Sequence, residues 1–210
     1  MAEVIRIKGG TDNCYVVASG RTAILVDTAS RKNLDKVTAV CDKYEMKLIF
    51  LTHVHFDHAE NAKALSERYN IPVAVNKLDE ELFESFDRQP MSSYGLVGKV
   101  VLSSSLKVLK ETRVERPGNL IYVEDGDDLS SYGIDAKVIG MPGHTKGSVG
   151  LDVEKTHLLV GDELDNWITP GIAHLYHDFE AVKQSAEKIR DLGSRTVCYG
   201  HGKPTENGKF

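Results

Sequence analysis

Residues 52–61 read THVHFDHAEN, which places His53, His55, Asp57 and His58 inside six positions. The apolar run KLIFL before them reads as a buried strand, and AENAKALSERY after them has helical spacing. The four donors therefore belong to a strand-to-helix turn at the end of a sheet, where a rigid scaffold aims side chains into a site. In an extended segment, side chains two apart fall on one side, so His53 and His55 can share one ion. Asp57 and His58 lie where the chain turns and can face a neighbouring position. Such a hexapeptide arises by chance on the order of once in a thousand sequences of this length, which argues against an incidental His-rich surface turn.

Outward from this turn, two periods alternate. EVIRIKGG, NCYVVASG and TAILVDTA read as short strands separated by Gly-containing turns. From Ser30, apolar Leu34, Val37, Cys41 and Tyr44 recur at helical intervals. IPVAVNK reads as a further strand. Residues 78–118 are less regular, with DRQPMSSYGLVGK as a loop and SSLKVLKE as a short helix. This stretch serves equally well as a substrate-shaping insertion or a surface excursion. NLIYVEDGDDL, DAKVIGMPGHT, SVGLDVE and HLLVGDELD resume the strand and turn pattern. A helix is expected from Asp178 as N-cap through Phe179, Val182, Ala186 and Ile189, with Gly193 as its stop. TVCYGHG then reads as a strand ending on histidine. The two halves share an order of strands, a strand ending on histidine, and a helix. That order predicts an α/β fold in which two sheets form a pseudo-duplicated sandwich with helices outside, over residues 1–210 as one domain.

With 210 residues, 41% hydrophobic, 27% charged and a formal net charge of -5, the chain has the balance of a soluble globular protein and no basic excess for nucleic acid. MAEVIRIKGG contains no apolar run suited to a leader or a membrane span, so no membrane association and a cytoplasmic location are expected. Cys14, Cys41 and Cys198 are odd in number, widely spaced and without a CxxC pair, and read as buried free thiols.

Three later features join the first. His144 in GMPGHTKGS, Asp162 in LLVGDELD and His201 in CYGHGKP each follow an apolar strand-like run and sit beside glycine, which permits close approach to an ion. Singly, each reads more readily as a turn residue. In this order, after THVHFDH, they read as one donor set.

The series THVHFDH, PGHT, GD and GHG resembles the metallo-β-lactamase superfamily, in particular its glyoxalase II-like branch, over residues 1 to about 204. VDTA, with Asp27, is similar to the family's first motif, usually DTG, with Ala29 in place of the glycine. The resemblance implies a four-layer αβ/βα sandwich with metals at one edge between the sheets. It implies that His53, His55 and His144 bind one ion, that Asp57, His58 and His201 bind a second, and that Asp162 bridges them. Asp27 would support the site from behind, and Asp57 would be a ligand that can also handle a proton.

Imidazole and carboxylate donors suit zinc, the default expectation, while iron and manganese accept the same set. Two divalent ions with open positions imply a hydrolase whose metal-bridging hydroxide cleaves a small-molecule thioester, ester or lactone. No GxSxG elbow or cysteine nucleophile offers a covalent route. Asp162 and the missing leader argue against antibiotic hydrolysis, and the short stretch after His201 argues against hydroxyacylglutathione. The alternative within the same fold is a mononuclear iron enzyme resembling persulfide dioxygenases; His55 argues against the flavodiiron type.

Other residues carry simpler expectations. His174 and His177 read as solvated loop histidines. Trp167, Tyr94 and Phe86 read as packing aromatics. Lys146 reads as an exposed lysine and His157 as structural.

Overall fold

The computed structural model describes residues 1–206, apart from the side chain of Lys110. A first sheet holds, in spatial order, β1 (Glu3–Lys8), β2 (Asn13–Ser19), β3 (Thr22–Val26), β4 (Glu45–Phe50), β5 (Val73–Val75) and β6 (Leu120–Tyr122). The first three pair antiparallel, and β3 to β6 run parallel. A second sheet holds β7 (Ala136–Gly140), β8 (Val149–Val153), β9 (His157–Gly161), β10 (Thr196–Tyr199) and β11 (Thr205–Glu206). Its one parallel pair is β9 with β10.

Strand alternation dictates the layering, because both faces of each sheet are apolar. On β2, Cys14, Val16 and Ala18 face outward into a cluster with Val37 of α1 (Leu34–Cys41) and Leu65 of α3 (Ala62–Tyr69). Tyr15 and Val17 face inward and meet Val138, Leu151 and Leu159 of the second sheet. A register shift opposite Ala23 and Ile24 leaves Lys47 exposed on β4, so that Leu48 and Phe50 still point inward. Leu158, Val160, Val197 and Tyr199 pack outward against Ala186 and Ile189 of α5 (Phe179–Asp191). Three apolar layers between helix, sheet, sheet and helix make the expected four-layer α/β sandwich of two mixed sheets.

The helix from Asp178 has the expected cap, since its carboxylate accepts from Glu180 N and Ala181 N. The stretch 92–111 departs from expectation. DRQPMSSYGLVGK is not all loop, because α4 (Gly95–Glu111) takes in GLVGK and extends the short helix to 17 residues. Gly98 reads as a helix breaker, yet it is where α4 touches the 174 segment: an added Cβ would lie 2.9 Å from the His174 carbonyl. Its missing side chain permits the approach. Ser92–Ser93 pairs with Leu175–Tyr176 and ties down the entry to α4. No helix among the described residues is long and apolar enough to cross a membrane.

Candidate metal centre

β4 ends at Phe50, and residues 51–55 continue to the edge of the sandwich before the short helix α2 (Phe56–Ala59) turns the chain. The turn is gripped from behind. Thr28 N and Thr28 Oγ1 both donate to the His58 carbonyl, at 2.6 and 2.8 Å. Asn61, at the end of THVHFDHAEN, brings Nδ2 within 3.0 Å of the carbonyls of Thr28, Ala29 and Ser30. Both Asp27 and Ala29 lie in the left-handed region, with φ of 57° and 58°.

All seven predicted donors converge from both sheets. His53, His55 and His144 form one triad; Asp57, His58 and His201 form another; His53, His58 and Asp162 form a third between them. The ligand atoms in each triad lie within 4.8 Å of one another. Asp162 joins the groups: Oδ1 is 3.3 Å from His58 Nε2, and Oδ2 is 3.1 Å from His201 Nε2 and 3.8 Å from His144 Nε2.

Back-side partners determine which ring nitrogen faces inward. His58 Nδ1 pairs with Asp27 Oδ2 at 2.8 Å, His201 Nδ1 with the Thr11 carbonyl at 2.9 Å, and His144 Nδ1 with the Leu175 carbonyl at 2.9 Å. Thr52 Oγ1 gives its proton to Asp27, so it accepts from His53 Nδ1 at 3.1 Å. Four histidines thus present Nε2 inward, whereas His55 presents Nδ1, 3.0 Å from His144 Nε2. Such second partners orient ligands at metal sites generally.

The electrostatics divide the site. Burial, reinforced by neighbouring imidazoles, holds His53 well below its ordinary pKa and brings His55 down to about 3. Burial would also lower His58 and His201, but facing carboxylates, Asp162 foremost, outweigh it and raise both. Burial would raise Asp162; the His201 and His58 rings overcome this and hold it well below the carboxylate range.

A metal fits these residues. His53 Nε2 is buried with no hydrogen-bond partner, and His58 Nε2 and Asp162 Oδ1, though 3.3 Å apart, are buried without meeting in hydrogen-bond geometry, an arrangement that is costly unless a cation satisfies them. Neutral imidazole nitrogens and carboxylate oxygens are donors for zinc, iron or manganese.

Sequence reasoning missed several supports. Asp79 is fully buried and accepts from Val54 N (3.3 Å), Thr145 Oγ1 (2.7 Å), Gly147 N (2.8 Å) and Gln89 Nε2 (3.3 Å). It thereby links the His53–His55 segment to the turn after His144. Glu163 Oε2 accepts from His144 N at 3.1 Å, and burial pushes its carboxyl up to about 8. Asp79 has no local signal, because its partners are far away in sequence; Glu163 could have been noticed from its place beside Asp162.

His174 and His177 are not free loop histidines. His174 Nδ1 meets Asp165 Oδ2 at 2.7 Å and its ring stacks on Tyr94 with centroids 5.1 Å apart; His177 Nδ1 pairs with the Pro90 carbonyl at 3.1 Å. Two of the aromatic residues also do more than pack the core. Trp167 stacks on His201 with centroids 4.6 Å apart, and Phe86 meets His55 edge-on at 5.7 Å. Lys146 is occupied by Glu81 at 2.9 Å. His157 pairs with Thr156 Oγ1, and the three cysteines are buried free thiols.

The donors open onto a cavity of about 290 Å³ whose lining includes His55, Asp57, His144, Asp162 and His201, with Val101 and Leu109 of α4 among the apolar residues that line it.

The sequence matches the model of the metallo-β-lactamase superfamily over residues 7–201. It is 26% identical to "Probable metallo-hydrolase MJ0888" of Methanocaldococcus jannaschii, with 74% of this chain and 68% of the relative covered. Among solved structures, the B3 metallo-β-lactamase BLEG-1 superposes with a TM-score of 0.72 at 22% identity, covering 100% of this chain and 95% of the other. TTHA1623 in a di-iron-bound form gives a TM-score of 0.69 at 24% identity, covering 98% and 95%.

Proposed function

The chain belongs to the metallo-β-lactamase superfamily, and from this we propose that it is a dinuclear metal-dependent hydrolase of a small thioester, ester or lactone. The observation that carries the reading is the convergence of two donor triads with Asp162 between them. In this reading His53 Nε2, His55 Nδ1 and His144 Nε2 would hold one ion, and Asp57, His58 Nε2 and His201 Nε2 would hold the other. Asp162, kept ionised by His58 and His201, would serve both. Two divalent ions there supply a water nucleophile deprotonated near neutral pH and a Lewis acid for the substrate carbonyl.

The chain's own residues do the rest. Asp27 fixes the His58 ring and Thr52 fixes His53, so the donors need little reorganisation when a substrate arrives. Asp57 is the more open of the two carboxylates, lies 3.3 Å from His201 Nε2 and lines the cavity; burial would raise its carboxyl, but His58 and His201 outweigh this and hold it down to about 2, so it stays ionised. Zinc is the metal proposed, on donor chemistry.

The test is metal analysis of protein purified without added metal, followed by thioesters, esters and lactones assayed with zinc, manganese and iron. Two ions per chain and hydrolysis that Asp162→Ala abolishes with the fold intact are expected. One iron per chain with thiol-dependent oxygen uptake and no hydrolysis would replace the dinuclear reading with the mononuclear iron one.

A further inference from the structure

Around the donors, much of the cavity's lining is hydrocarbon. Phe56, Met91, Val101, Leu109, Trp167 and Leu175 line it, and the hydroxyls of Ser104 and Ser105 add polarity without charge. Among the described residues no lysine or arginine lines the cavity, and the acids that do are Asp57, Asp162 and Asp165. Asp57 and Asp162 belong to the donor set; Asp165 is buried and paired with His174. The wall is also fixed in place. Tyr94 Oη donates to the Ile172 carbonyl at 2.9 Å, Tyr94 N donates to the His174 carbonyl at 3.2 Å, and Gly98 brings α4 against that same carbonyl.

Resting on the hydrolase reading above, we propose that the substrate is an ester or thioester with an uncharged, apolar acyl arm of short to medium length, laid against α4. The reacting group meets the donors while the arm meets Val101 and Leu109. An arm ending in a carboxylate would lose its hydration against Val101 and Leu109, away from the donors, with no lysine or arginine among the described lining residues to pair with, a strongly unfavourable exchange. A cavity of about 290 Å³ is at the small end for ligand sites, which limits the arm's length. Within the stretch 78–118, residues 92–111 thereby shape the substrate site.

The experiment compares acetyl, butanoyl, hexanoyl and adipoyl esters of one leaving group with the metal-loaded enzyme. The adipoyl half-ester has the hexanoyl length but ends in a carboxylate. We expect kcat/KM to rise about fourfold per buried methylene up to hexanoyl, and adipoyl to fall roughly tenfold or more below hexanoyl. Val101→Lys places a cation in the wall and should invert the hexanoyl-to-adipoyl preference. A direct binding readout is the emission of Trp167, the single tryptophan of the chain, titrated with hexanamide and with 6-aminohexanamide, whose ω-ammonium group cannot ligate a metal ion. Hexanamide should bind at least about tenfold tighter. A flat chain-length series, or equal or tighter binding of 6-aminohexanamide, overturns the proposal while leaving the hydrolase reading intact. Absence of hydrolysis across the series, with hexanamide still preferred, overturns the hydrolase reading and leaves the apolar arm site standing.

Discussion

At Gly200, a methyl group would lie 2.1 Å from Asp162 Oδ1 and 2.6 Å from His58 Cε1, closer than real Cβ contacts allow. Gly200→Ala should therefore displace the central carboxylate, dropping bound metal below two per chain by elemental analysis and abolishing hydrolysis. Ala29 presents the opposite case. Its left-handed backbone disfavours any side chain by about 1–2 kcal/mol, while its buried methyl contributes about 0.8 kcal/mol of burial. Ala29→Gly should come out near neutral or slightly stabilising in urea unfolding. Ala23→Gly in β3, which has burial to lose and no such strain to relieve, should cost about 1.5 kcal/mol. At this scale the donors were legible because each follows an apolar run and sits beside a turn. Their back-side partners were not: the carbonyls of Thr11 and Leu175 carry no residue signature, and which atom a ring nitrogen meets is decided by the fold.

Elements carry the site through their ends. The 3₁₀ helix Lys77–Phe83 contributes one residue, Asp79, whose carboxylate ties the segment after β4 to the turn after β7. Burial pushes the Asp79 carboxyl up to about 6, against hydrogen bonds that pull it down, while the ordinary value is 3.8. Between those values the folded chain binds more protons than the unfolded one. The stability Asp79 contributes is thus full below about pH 4 and is lost as pH rises through about 6, by up to about 3 kcal/mol. Urea denaturation of the protein and of Asp79→Asn at about pH 4 and about pH 7 checks this: the native chain should lose more stability than the variant across that interval. Helix α4 shows why element boundaries were partly illegible. Gly95 and Gly98 mimic a loop, and only the nearness of the His174 carbonyl explains Gly98 inside a helix. Strands β1 to β4 and helix α5 followed from their spacing because each presents apolar residues to a core layer at its own period.

The molecule as a whole joins its two sheets through the donor set. His53, His55, Asp57 and His58 come from the first-sheet side, while His144, Asp162 and His201 come from the second. Metal that binds only the folded arrangement stabilises it by about 4 kcal/mol at a thousandfold excess over Kd, and each kcal/mol moves Tm by about 2–4 °C at this size. Removing metal with a chelator should lower Tm by roughly 10 °C in calorimetry, and zinc should restore it. The two-sheet plan itself was legible from the repeated order of strand, histidine and helix, because each half builds a sheet from consecutive chain: residues 3–122 in one and 136–206 in the other. That division has a consequence for how the protein comes into being. A growing chain exposes four donors within six residues long before His144, Asp162 and His201 have been made. During synthesis the first half can attract an ion but cannot enclose one. A site that needs donors from both halves can close only after the second half has been made.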